Sequence, residues 1–522
     1  MILSEVTDMI IMEIIHKINH ARFEEKIMLT YDFSDMRKEE TLTSYLYRKI
    51  RADILEGRLK TGEKIPSKRI FSRNLGVSTV TAENVYAQLA AEGYLISRPR
   101  SGHYVAPIGG TLLFPRLRDD PGAANLKSSG DGELPGRRSN DTEDDKSEEN
   151  QKTPEINLAD GRPEPETFPF GTWARIVREV LQEKRRELLT RAPGSGVAAL
   201  REEIARYVLQ YQGLEATPDQ IIIGAGTEYL YSLLIRLLGG DKVYAVETPG
   251  YPKTARIYET NRVAVKYIPM DRSGISMQAL SKSGADVVHI SPSHQFPTGI
   301  TMPVGRRAEL LEWAETSETE DRYIIEDDYD SEFRLAGRPI PLLMSMDRGG
   351  KVIYLNTFTK SLASTIRISY MVLPLSLLKR YREKLGFYSC TVSNFEQYTL
   401  AEFIRRGYFE KHINRMRTYY RRKQKMVLDQ IRSGRLMEMV EIIGEGAGLH
   451  FILRVRTNRS EQELTELADG AGVRIFGMSH YGFMAPHSGE KEQLPCMVVN
   501  YCSLSEEQIR TFPDRLYAAW NM

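Results

Sequence analysis

The strongest constraint on the fold is a regular alternation of helical and β-rich segments that begins near residue 153. Helical spacing of apolar residues occurs at residues 171–189, 196–212, 227–238 and 304–314. Between and after these segments lie seven short β-rich runs, at residues 220–223, 242–246, 264–268, 286–290, 322–326, 351–355 and 368–373. Strands that alternate with helices are typical of a mostly parallel sheet covered on both faces. The sequence therefore predicts a large α/β domain.

A smaller terminal subdomain is predicted within the same domain. A helical stretch at about 375–432 is followed by β-rich runs at 449–454, 473–476 and 497–501. We therefore assign residues 153–522 to one large domain with a mostly parallel central sheet.

Length, charge and cysteine content limit the remaining possibilities. The chain has 522 residues, of which 41% are apolar, enough for more than one folding unit. Its net charge of +1 gives the whole chain no preference for a polyanion. The three cysteines, Cys390, Cys496 and Cys502, lack metal-ligand spacing, so we expect a reducing compartment and no metal site. Glu13 and Lys17 interrupt the apolar N-terminal run, which predicts no signal peptide, no membrane association and a cytoplasmic protein.

Residues 41–105 form a basic unit with the pattern of a helix-turn-helix. They contain eleven Lys or Arg residues against five Asp or Glu residues, a net charge of +6. Helical spacing at 42–57 is followed by a short helix after Pro66, a turn at Gly76 and a third helix at 79–92. A short helix, a glycine turn and a helix that can enter the major groove are the components of this DNA-binding motif.

The predicted DNA contacts fall into two groups. Thr79, Thr81 and Asn84, at the start of the third helix, are expected to reach base edges or sugars. The other group lies on the second helix and on a two-stranded wing at 94–105, where Lys68, Arg69, Arg98 and Arg100 would neutralise phosphates. Ser67, just before Lys68, is a further predicted DNA contact. Charge alone leaves open a basic helical domain that binds a protein.

A resemblance favours DNA over a protein partner. The stretch PSKRIFSRNLGVSTVTAENVYAQLAAEGYLISRPRSGHYV closely resembles the winged helix-turn-helix of GntR-type bacterial regulators, over about 65 residues. This resemblance implies that the unit binds a double-stranded DNA operator.

Residues 106–152 have the composition of a flexible linker. Almost no large apolar residue follows Leu117, and Gly, Ser and Pro alternate with charges of both signs. A flexible coil of about 47 residues spans on the order of 40 Å, so the N-terminal unit can reach beyond its own subunit. Residues 1–40 form an N-terminal extension with a predicted helix at 6–18.

Several motifs of the large domain follow one another in the order found in fold-type I aminotransferases. IEDDYDSEF (325–333) and TFTKSLASTIRISY (357–370) each follow an apolar strand, and they resemble the acid motif and the lysine motif of that family. Upstream, IIIGAGTEYL (221–230) lies at a strand-to-helix turn suited to a phosphate. PGYP (249–252) and SPSHQFPTG (291–299) match the stacking-aromatic motif and the Pro-Thr-Gly turn. The resemblance covers about 370 residues and implies a pyridoxal 5'-phosphate cofactor.

The resemblance implies a role for each motif residue. Lys360 would form the aldimine, Asp327 would hold the pyridinium and Tyr329 would hydrogen-bond the ring hydroxyl. Tyr251 would stack on the ring. The phosphate would be bound by backbone amides and side chains at Gly226, Thr227, Thr357, Thr359 and Arg367. Taken alone, Lys360 would be a surface lysine and Asp327 one of two solvated carboxylates; the ordered series of motifs favours the cofactor.

A GntR-like winged helix, a long linker and an aminotransferase-like domain, in this order, resemble the MocR/GabR family of bacterial transcription regulators. The resemblance implies a sensor of pyridoxal phosphate and of a small amine or amino acid. It also implies a homodimer in which the DNA-binding domain of one chain docks on the opposite subunit.

The sequence departs from the aminotransferase pattern at the ligand side of the site. Phe296 precedes Pro-Thr-Gly where catalytic members usually have Asn, and the late strand MVVNY (497–501) lacks their carboxylate-binding Arg. The two arginines that hold the carboxylate in the GABA-sensing member correspond to Lys253 and Arg474, which we take as effector-binding residues. Glu228 would repel a neighbouring phosphate unless its side chain turns away.

The sequence therefore predicts a transcription regulator that depends on pyridoxal phosphate and senses an amine or amino acid through an aldimine at Lys360. The alternative is a catalytically active aminotransferase of class I/II type with an appended DNA-binding domain, so enzymatic activity stays open. A third interpretation is a DNA-binding module whose large domain serves only for dimerisation.

Overall fold

The computed structural model describes residues 31, 36, 41–98, 101–106, 154–316, 321–333, 341–446, 448–482 and 494–521. The helix predicted at 6–18, nearly all of the predicted linker and Arg100 lie outside these residues. The described residues form two compact units, one built on residues 41–98, 101–106 and 303–309 and the other on the remaining described residues from 154 onward. Within the described ranges, no helix is long and apolar enough to cross a membrane.

The first unit is a winged helix-turn-helix, as predicted. Its described elements are α1 (Leu42–Leu55), α2 (Lys68–Leu75), α3 (Thr79–Ala91), β1 (Leu95–Arg98) and β2 (Gly102–Val105). Gly76 ends α2 with a left-handed φ of 64°, a conformation that glycine adopts without steric cost. The two strands pair antiparallel as the wing. The core is formed by fully buried side chains from the three helices: Tyr45, Leu46, Ile50, Phe71, Ala82, Val85, Tyr86 and Leu89.

The second unit combines a large sheet with a smaller one. In chain order its described strands are β3 (Ile156–Asn157), β4 (Ile221–Gly224), β5 (Val243–Thr248), β6 (Ala264–Asp271), β7 (Gly274–Ile275), β8 (Val287–Ile290), β9 (Tyr323–Asp328), β10 (Val352–Thr357), β11 (Ser369–Val372), β12 (Val440–Ile443), β13 (His450–Val455), β14 (Val473–Arg474), β15 (Phe476–Gly477) and β16 (Cys496–Asn500). The large sheet has the order β4-β11-β10-β9-β8-β5-β6-β7. Its central strands are parallel, whereas β11 is antiparallel to both neighbours and β7 to β6. The predicted mostly parallel sheet is confirmed.

The helices of the second unit cover this sheet and support the smaller one. They are α4 (Phe170–Glu183), α5 (Arg185–Leu189), α6 (Ala198–Gln212), α7 (Thr227–Leu238), α8 (Pro252–Thr260), α9 (Met277–Lys282), α10 (Val304–Glu315, which belongs to this unit from Leu310), α11 (Leu343–Met346), α12 (Phe358–Ser361), α13 (Leu375–Leu385), α14 (Asn394–Arg405), α15 (Tyr408–Ser433), α16 (Glu461–Gly470) and α17 (Glu506–Trp520). The predicted helical stretch at 375–432 is three helices, α13, α14 and α15. Gly407, between α14 and α15, adopts a left-handed φ of 71°.

The smaller sheet has the antiparallel order β12-β13-β16-β15. The single strand predicted at 473–476 is two short strands with different partners, because β14 pairs with β3 while β15 pairs with β16. In the large sheet, β5, β8, β9 and β10 end at the same edge, because they are parallel. Ligands of open α/β sheets bind at the carboxyl ends of such strands.

Candidate functional site

A cavity of about 420 Å³ lies at this edge of the sheet. It is lined by nine of the residues predicted for cofactor and effector binding: Thr227, Tyr251, Lys253, Asp327, Tyr329, Thr357, Thr359, Lys360 and Arg367. The fold thus brings together side chains that are spread over 140 positions of the sequence.

Lys360 lies on the short helix α12, directly after β10. Thr357 caps this helix, since its hydroxyl oxygen accepts a hydrogen bond from the Thr359 amide at 3.2 Å. Lys360 Nζ donates a hydrogen bond to the carbonyl oxygen of Gly161 at 2.7 Å. The lysine is therefore held at the cavity by the segment that follows the linker.

Asp327 lies near the end of β9 and has fixed partners on one oxygen only. Its Oδ2 accepts hydrogen bonds from the Tyr231 hydroxyl at 2.5 Å and from His289 Nε2 at 3.3 Å. Because a carboxylate only accepts, His289 Nε2 carries the hydrogen and Nδ1 accepts from the Tyr258 hydroxyl at 2.7 Å. Burial raises the pKa of Tyr231 well above its usual value, so its hydroxyl remains a donor. Asp327 Oδ1 is buried and has no partner among the described residues.

The opposite end of the cavity is formed by the start of α7 and by Arg367. Gly226 precedes the helix with a φ of 86°, and a Cβ atom built on it would lie 2.5 Å from Arg367 Nη2. The guanidinium therefore packs directly on the glycine backbone. First-turn amides and a guanidinium together form an environment suited to a phosphate.

The sequence analysis indicated that the Glu228 side chain would repel a phosphate unless it turned away. In the structure it does not turn away from Arg367. Its carboxylate accepts a hydrogen bond from Lys253 Nζ and lies 3.3 Å from Arg367 Nη2. The hydrogen bond from Lys253, with the nearby Arg367, holds the pKa of Glu228 below its usual range. Lys253, predicted to hold an effector carboxylate, already holds a carboxylate of its own chain.

Tyr329 contacts a buried histidine, His294, which in turn contacts the carboxylate of Asp330. Its hydroxyl oxygen lies 3.3 Å from His294 Nδ1, which lies 2.7 Å from Asp330 Oδ2. The short contact with a carboxylate places the hydrogen of Nδ1 between these two groups. Since Nδ1 then has no free lone pair, the Tyr329 hydroxyl hydrogen is left to point elsewhere.

Arg474 is the predicted effector residue that the fold does not bring to the cavity. It lies on β14, which pairs with β3, and its Nε lies 3.7 Å from Asp469 Oδ1. The lining of the cavity does not include it.

Aromatic side chains form the wall next to Lys253. Phe296 packs edge to face against Tyr481 with ring centroids 5.0 Å apart, and against Tyr251 at 6.2 Å. A second cavity of about 530 Å³ adjoins the first here and shares all three rings with it. Phe296, at the position where catalytic aminotransferases usually have Asn, is thus part of an apolar surface.

The predicted DNA-contacting residues of the first unit lie around the start of α3. Thr79 and Asn84 are exposed, whereas Thr81 is half-buried and its amide donates to the capping oxygen of Ser78 at 3.0 Å. Thr81 therefore helps to cap the helix. Val80 was missed by the sequence analysis, although it is 65% exposed at this helix start.

The other predicted DNA contacts, on the second helix and the wing, differ in their own contacts within the unit. Ser67 caps α2, and Lys68 Nζ forms an ion pair with Glu83 at 2.7 Å. Arg69 is exposed, and the Arg98 guanidinium lies over the Tyr104 ring at 4.6 Å.

Comparisons with known proteins agree with this two-part architecture. Residues 42–105 match the family model "Bacterial regulatory proteins, gntR family", and residues 153–516 match "Aminotransferase class I and II". The chain is 36% identical to the HTH-type transcriptional regulator YdeL of Bacillus subtilis (strain 168), over 92% of this chain and 97% of that protein. It is 33% identical to the probable rhizopine catabolism regulatory protein MocR of Rhizobium meliloti, over 84% and 87%.

The chain belongs to the MocR family of HTH-type transcriptional regulators. Its GntR-type helix-turn-helix is that of regulators that bind DNA. Among solved structures, its large domain is similar to the kynurenine aminotransferase of Pyrococcus horikoshii in complex with PMP, with a TM-score of 0.61 and 26% identity over 71% of this chain and 91% of that one.

Class I and II aminotransferase domains depend on pyridoxal phosphate, and this MocR-family chain fits that cofactor. Asp327 Oδ1 is a buried acceptor that lacks a partner among the described residues, as a protonated pyridine nitrogen requires. The Gly226 backbone and Arg367 leave no room for a Cβ where a phosphate would approach. Lys360 supplies a primary amine in the same cavity.

Sequence reasoning missed Tyr231 and His289, which hold Asp327 in this MocR-family site. Tyr231 lies four residues after Thr227 on α7, hence on the same helix face, and could have been found from this spacing. His289 lies on β8, beside β9, and only the strand order places it near Asp327.

Proposed function

We propose that this protein is a homodimeric, cytoplasmic transcription regulator that binds pyridoxal phosphate at Lys360 and senses a small amine or amino acid there. The observation that carries the proposal is that Asp327 Oδ1, which has no partner among the described residues, lies in one cavity with Lys360, in a chain that also has a winged helix-turn-helix. Because the cofactor site and the DNA-binding unit belong to one polypeptide, ligand binding at the site can change the affinity of the protein for DNA.

Each side chain has a defined task in this proposal. Asp327 accepts from the pyridine nitrogen, and Tyr231 and His289 fix its orientation. Arg367 and the start of α7 bind the phosphate. When bound, the cofactor would supply an aldehyde that condenses reversibly with primary amines, and Lys360 is proposed to provide the amine of the protein.

Tyr329 is proposed to donate its hydroxyl hydrogen to the cofactor's ring oxygen. The contact of His294 Nδ1 with Asp330 supports this role, because it removes the nearest acceptor for that hydrogen. Tyr251, at the open side of the cavity, is proposed to stack on the ring.

In the first unit, Thr79 and Asn84 are proposed to contact bases or sugars of the operator, with Val80 offering an apolar contact to a thymine methyl group. Ser67, Lys68, Arg69 and the basic residues on the wing are proposed to contact phosphates.

The homodimer is supported by large apolar side chains that a monomer leaves exposed. Phe170, Leu189 and Phe387 are 67%, 84% and 73% exposed. We propose that the dimer interface covers these side chains. We further propose that each DNA-binding domain docks on the opposite subunit. Sedimentation of the full chain and of a truncation that begins at residue 153 tests both statements.

A transaminating enzyme is less well supported than a sensor. The strand β16 supplies no cation for a substrate carboxylate, since Val498 is fully buried and the Asn500 amide donates to the carbonyl oxygens of Leu158 and Ala159 at 3.3 Å. Steady turnover of an amino donor with a keto acceptor would reverse this preference.

The decisive experiment is a gel shift on the DNA upstream of the protein's own gene. Retardation should change when pyridoxal phosphate and amines are added to the wild-type protein, and Lys360→Ala should abolish that response together with the visible absorption band. A folded wild-type protein that develops no visible band with the cofactor, or that retards scrambled DNA equally well, would refute the proposal.

A further inference from the structure

We propose that the effector is a primary amine with an aromatic body and no carboxylate group. This inference rests on the proposed function and names the class of ligand for the same site. It follows from two independent features of the cavity: the rings of its outer wall and the state of its cations.

The outer wall is a continuous aromatic surface. The ring centroid of Phe296 lies 6.2 Å from that of Tyr251 and 5.0 Å from that of Tyr481. Aromatic rings attract one another most strongly edge to face or in offset stacks with centroids 4.5–7 Å apart. A ligand ring that enters beside Phe296 therefore meets partners in both geometries.

The wall continues into the second cavity. There, the rings of Phe476 and His480 stack with centroids 4.2 Å apart and an interplanar angle of 11°. Phe296, Tyr251 and Tyr481 line both cavities. The body of a ligand whose nitrogen reaches Lys360 can extend over this surface without leaving apolar contact.

The cations on the ligand side already have partners. Lys253 pairs with Glu228, and Arg162 pairs with Asp160 at 2.8 Å. Arg256, which faces the second cavity, also has an interaction of its own. Arg367 and Lys360 are assigned to the cofactor.

A carboxylate on the ligand would therefore lack a free cationic partner on this wall. The strand β16, where aminotransferases usually place their arginine, has buried apolar residues and Asn500 instead. A carboxylate directed at Lys253 would also approach the anionic Glu228, whose charge repels it. An amine without a carboxylate avoids both costs.

The test uses the full chain loaded with pyridoxal phosphate and four probes: phenethylamine, propylamine, L-phenylalanine and γ-aminobutyrate. Binding is measured from the shift of the visible absorption band and, separately, from the gel shift. Phenethylamine should reach half-saturation at a concentration about 10-fold lower than each other probe, which is about 1.4 kcal/mol. It should also change DNA retardation at that concentration.

Two substitutions of the wall separate aromatic recognition from amine reactivity. Phe296→Ala should weaken phenethylamine about 10-fold and leave propylamine unchanged, and Phe296→Leu, which keeps apolar volume, should give the same direction if the alanine variant fails to fold. Phe395→Ala, outside both cavities, is the matched control and should change neither. Glu228→Gln removes the anion beside Lys253 and should improve the binding of L-phenylalanine relative to phenethylamine.

The possible failures are distinguishable. A folded protein without a visible band in the presence of pyridoxal phosphate would contradict the proposed function itself. A normal band that responds to L-phenylalanine or γ-aminobutyrate at concentrations equal to or below those for phenethylamine would overturn this inference and leave the proposed function intact. Equal losses for propylamine and phenethylamine in Phe296→Leu would overturn it as well.

Discussion

Gly226→Ala should weaken cofactor binding strongly and lower the free energy of unfolding only slightly, without removing any cofactor-binding side chain. Gly226 has a φ of 86° and a ψ of 164°, a region that side chains other than glycine occupy at a cost of about 1–3 kcal/mol. Its added Cβ would lie 2.5 Å from Arg367 Nη2, so the guanidinium has to move. Two effects follow, one on the free energy of unfolding and one on the affinity for pyridoxal phosphate.

The magnitudes of the two effects can be compared. For a domain of about 370 residues, the strain corresponds to a decrease of about 1–4 °C in Tm. Loss of one charge-assisted hydrogen bond from Arg367 to the phosphate is worth about 1.5–3 kcal/mol, so affinity should fall about 10- to 150-fold. Affinity is measured by titration of cofactor-free protein with pyridoxal phosphate, followed by visible absorption.

Gly213→Ala provides the matched control. Gly213 ends α6 with a φ of 68°, and a Cβ there would have no atom within 4 Å. The control therefore carries backbone strain of about 1–2 kcal/mol without disturbing the cavity. If Gly226→Ala is folded and binds the cofactor within about 3-fold of the control, Arg367 does not hold the phosphate and the assignment of this end of the cavity is wrong.

Three further outcomes are expected. Asn84→Ala should weaken binding to the operator by about 1–3 kcal/mol and leave binding to scrambled DNA unchanged, as competition gel shifts would reveal. Glu83→Gln releases Lys68 from its ion pair, so the slope of log affinity against log salt concentration should steepen by about one unit; an unchanged slope would remove Lys68 from the phosphate contacts. Burial raises the pKa of Glu247 to about 8, so the folded protein retains a proton that the unfolded chain releases near pH 4.5. The free energy of unfolding should therefore fall as pH rises from about 5 to 8, and Glu247→Gln should flatten this decline in thermal melts.

The sequence predicted the secondary structure of the site better than its charge pairing. The order of strands and helices and the positions of Lys360 and Asp327 follow from local patterns, because each motif lies where a strand ends and a helix or turn begins. The pairing of Glu228 with Lys253 joins residues 25 positions apart on two different helices. Only the packing of α7 beside α8 brings them together, so no local pattern could reveal that Lys253 already forms an ion pair with Glu228.

The prediction for Arg474 shows the same limitation in a different element. It came from a match to the GABA-sensing member, in a segment where one strand was predicted at 473–476, whereas β14 and β15 pair with different strands. The change of partner within four residues directs Arg474 toward Asp469 instead of the cavity. Strand register of this kind depends on long-range pairing, which hydrophobic alternation alone does not specify.

In the proposed function, Gly161 would link the ligand site to the start of the large domain. Lys360 Nζ donates to the Gly161 carbonyl, and the Asn500 amide holds the carbonyl oxygens of Leu158 and Ala159 just before it. This segment is the part of the large domain that follows directly from the linker. In the proposed function, an effector amine bound beside Lys360 would change the hydrogen bond that Lys360 donates to Gly161, and so would act on the segment that follows the linker. Since a ligand shifts an equilibrium only by its difference in affinity for the two states, the regulator requires that the Lys360–Gly161 contact differ between them.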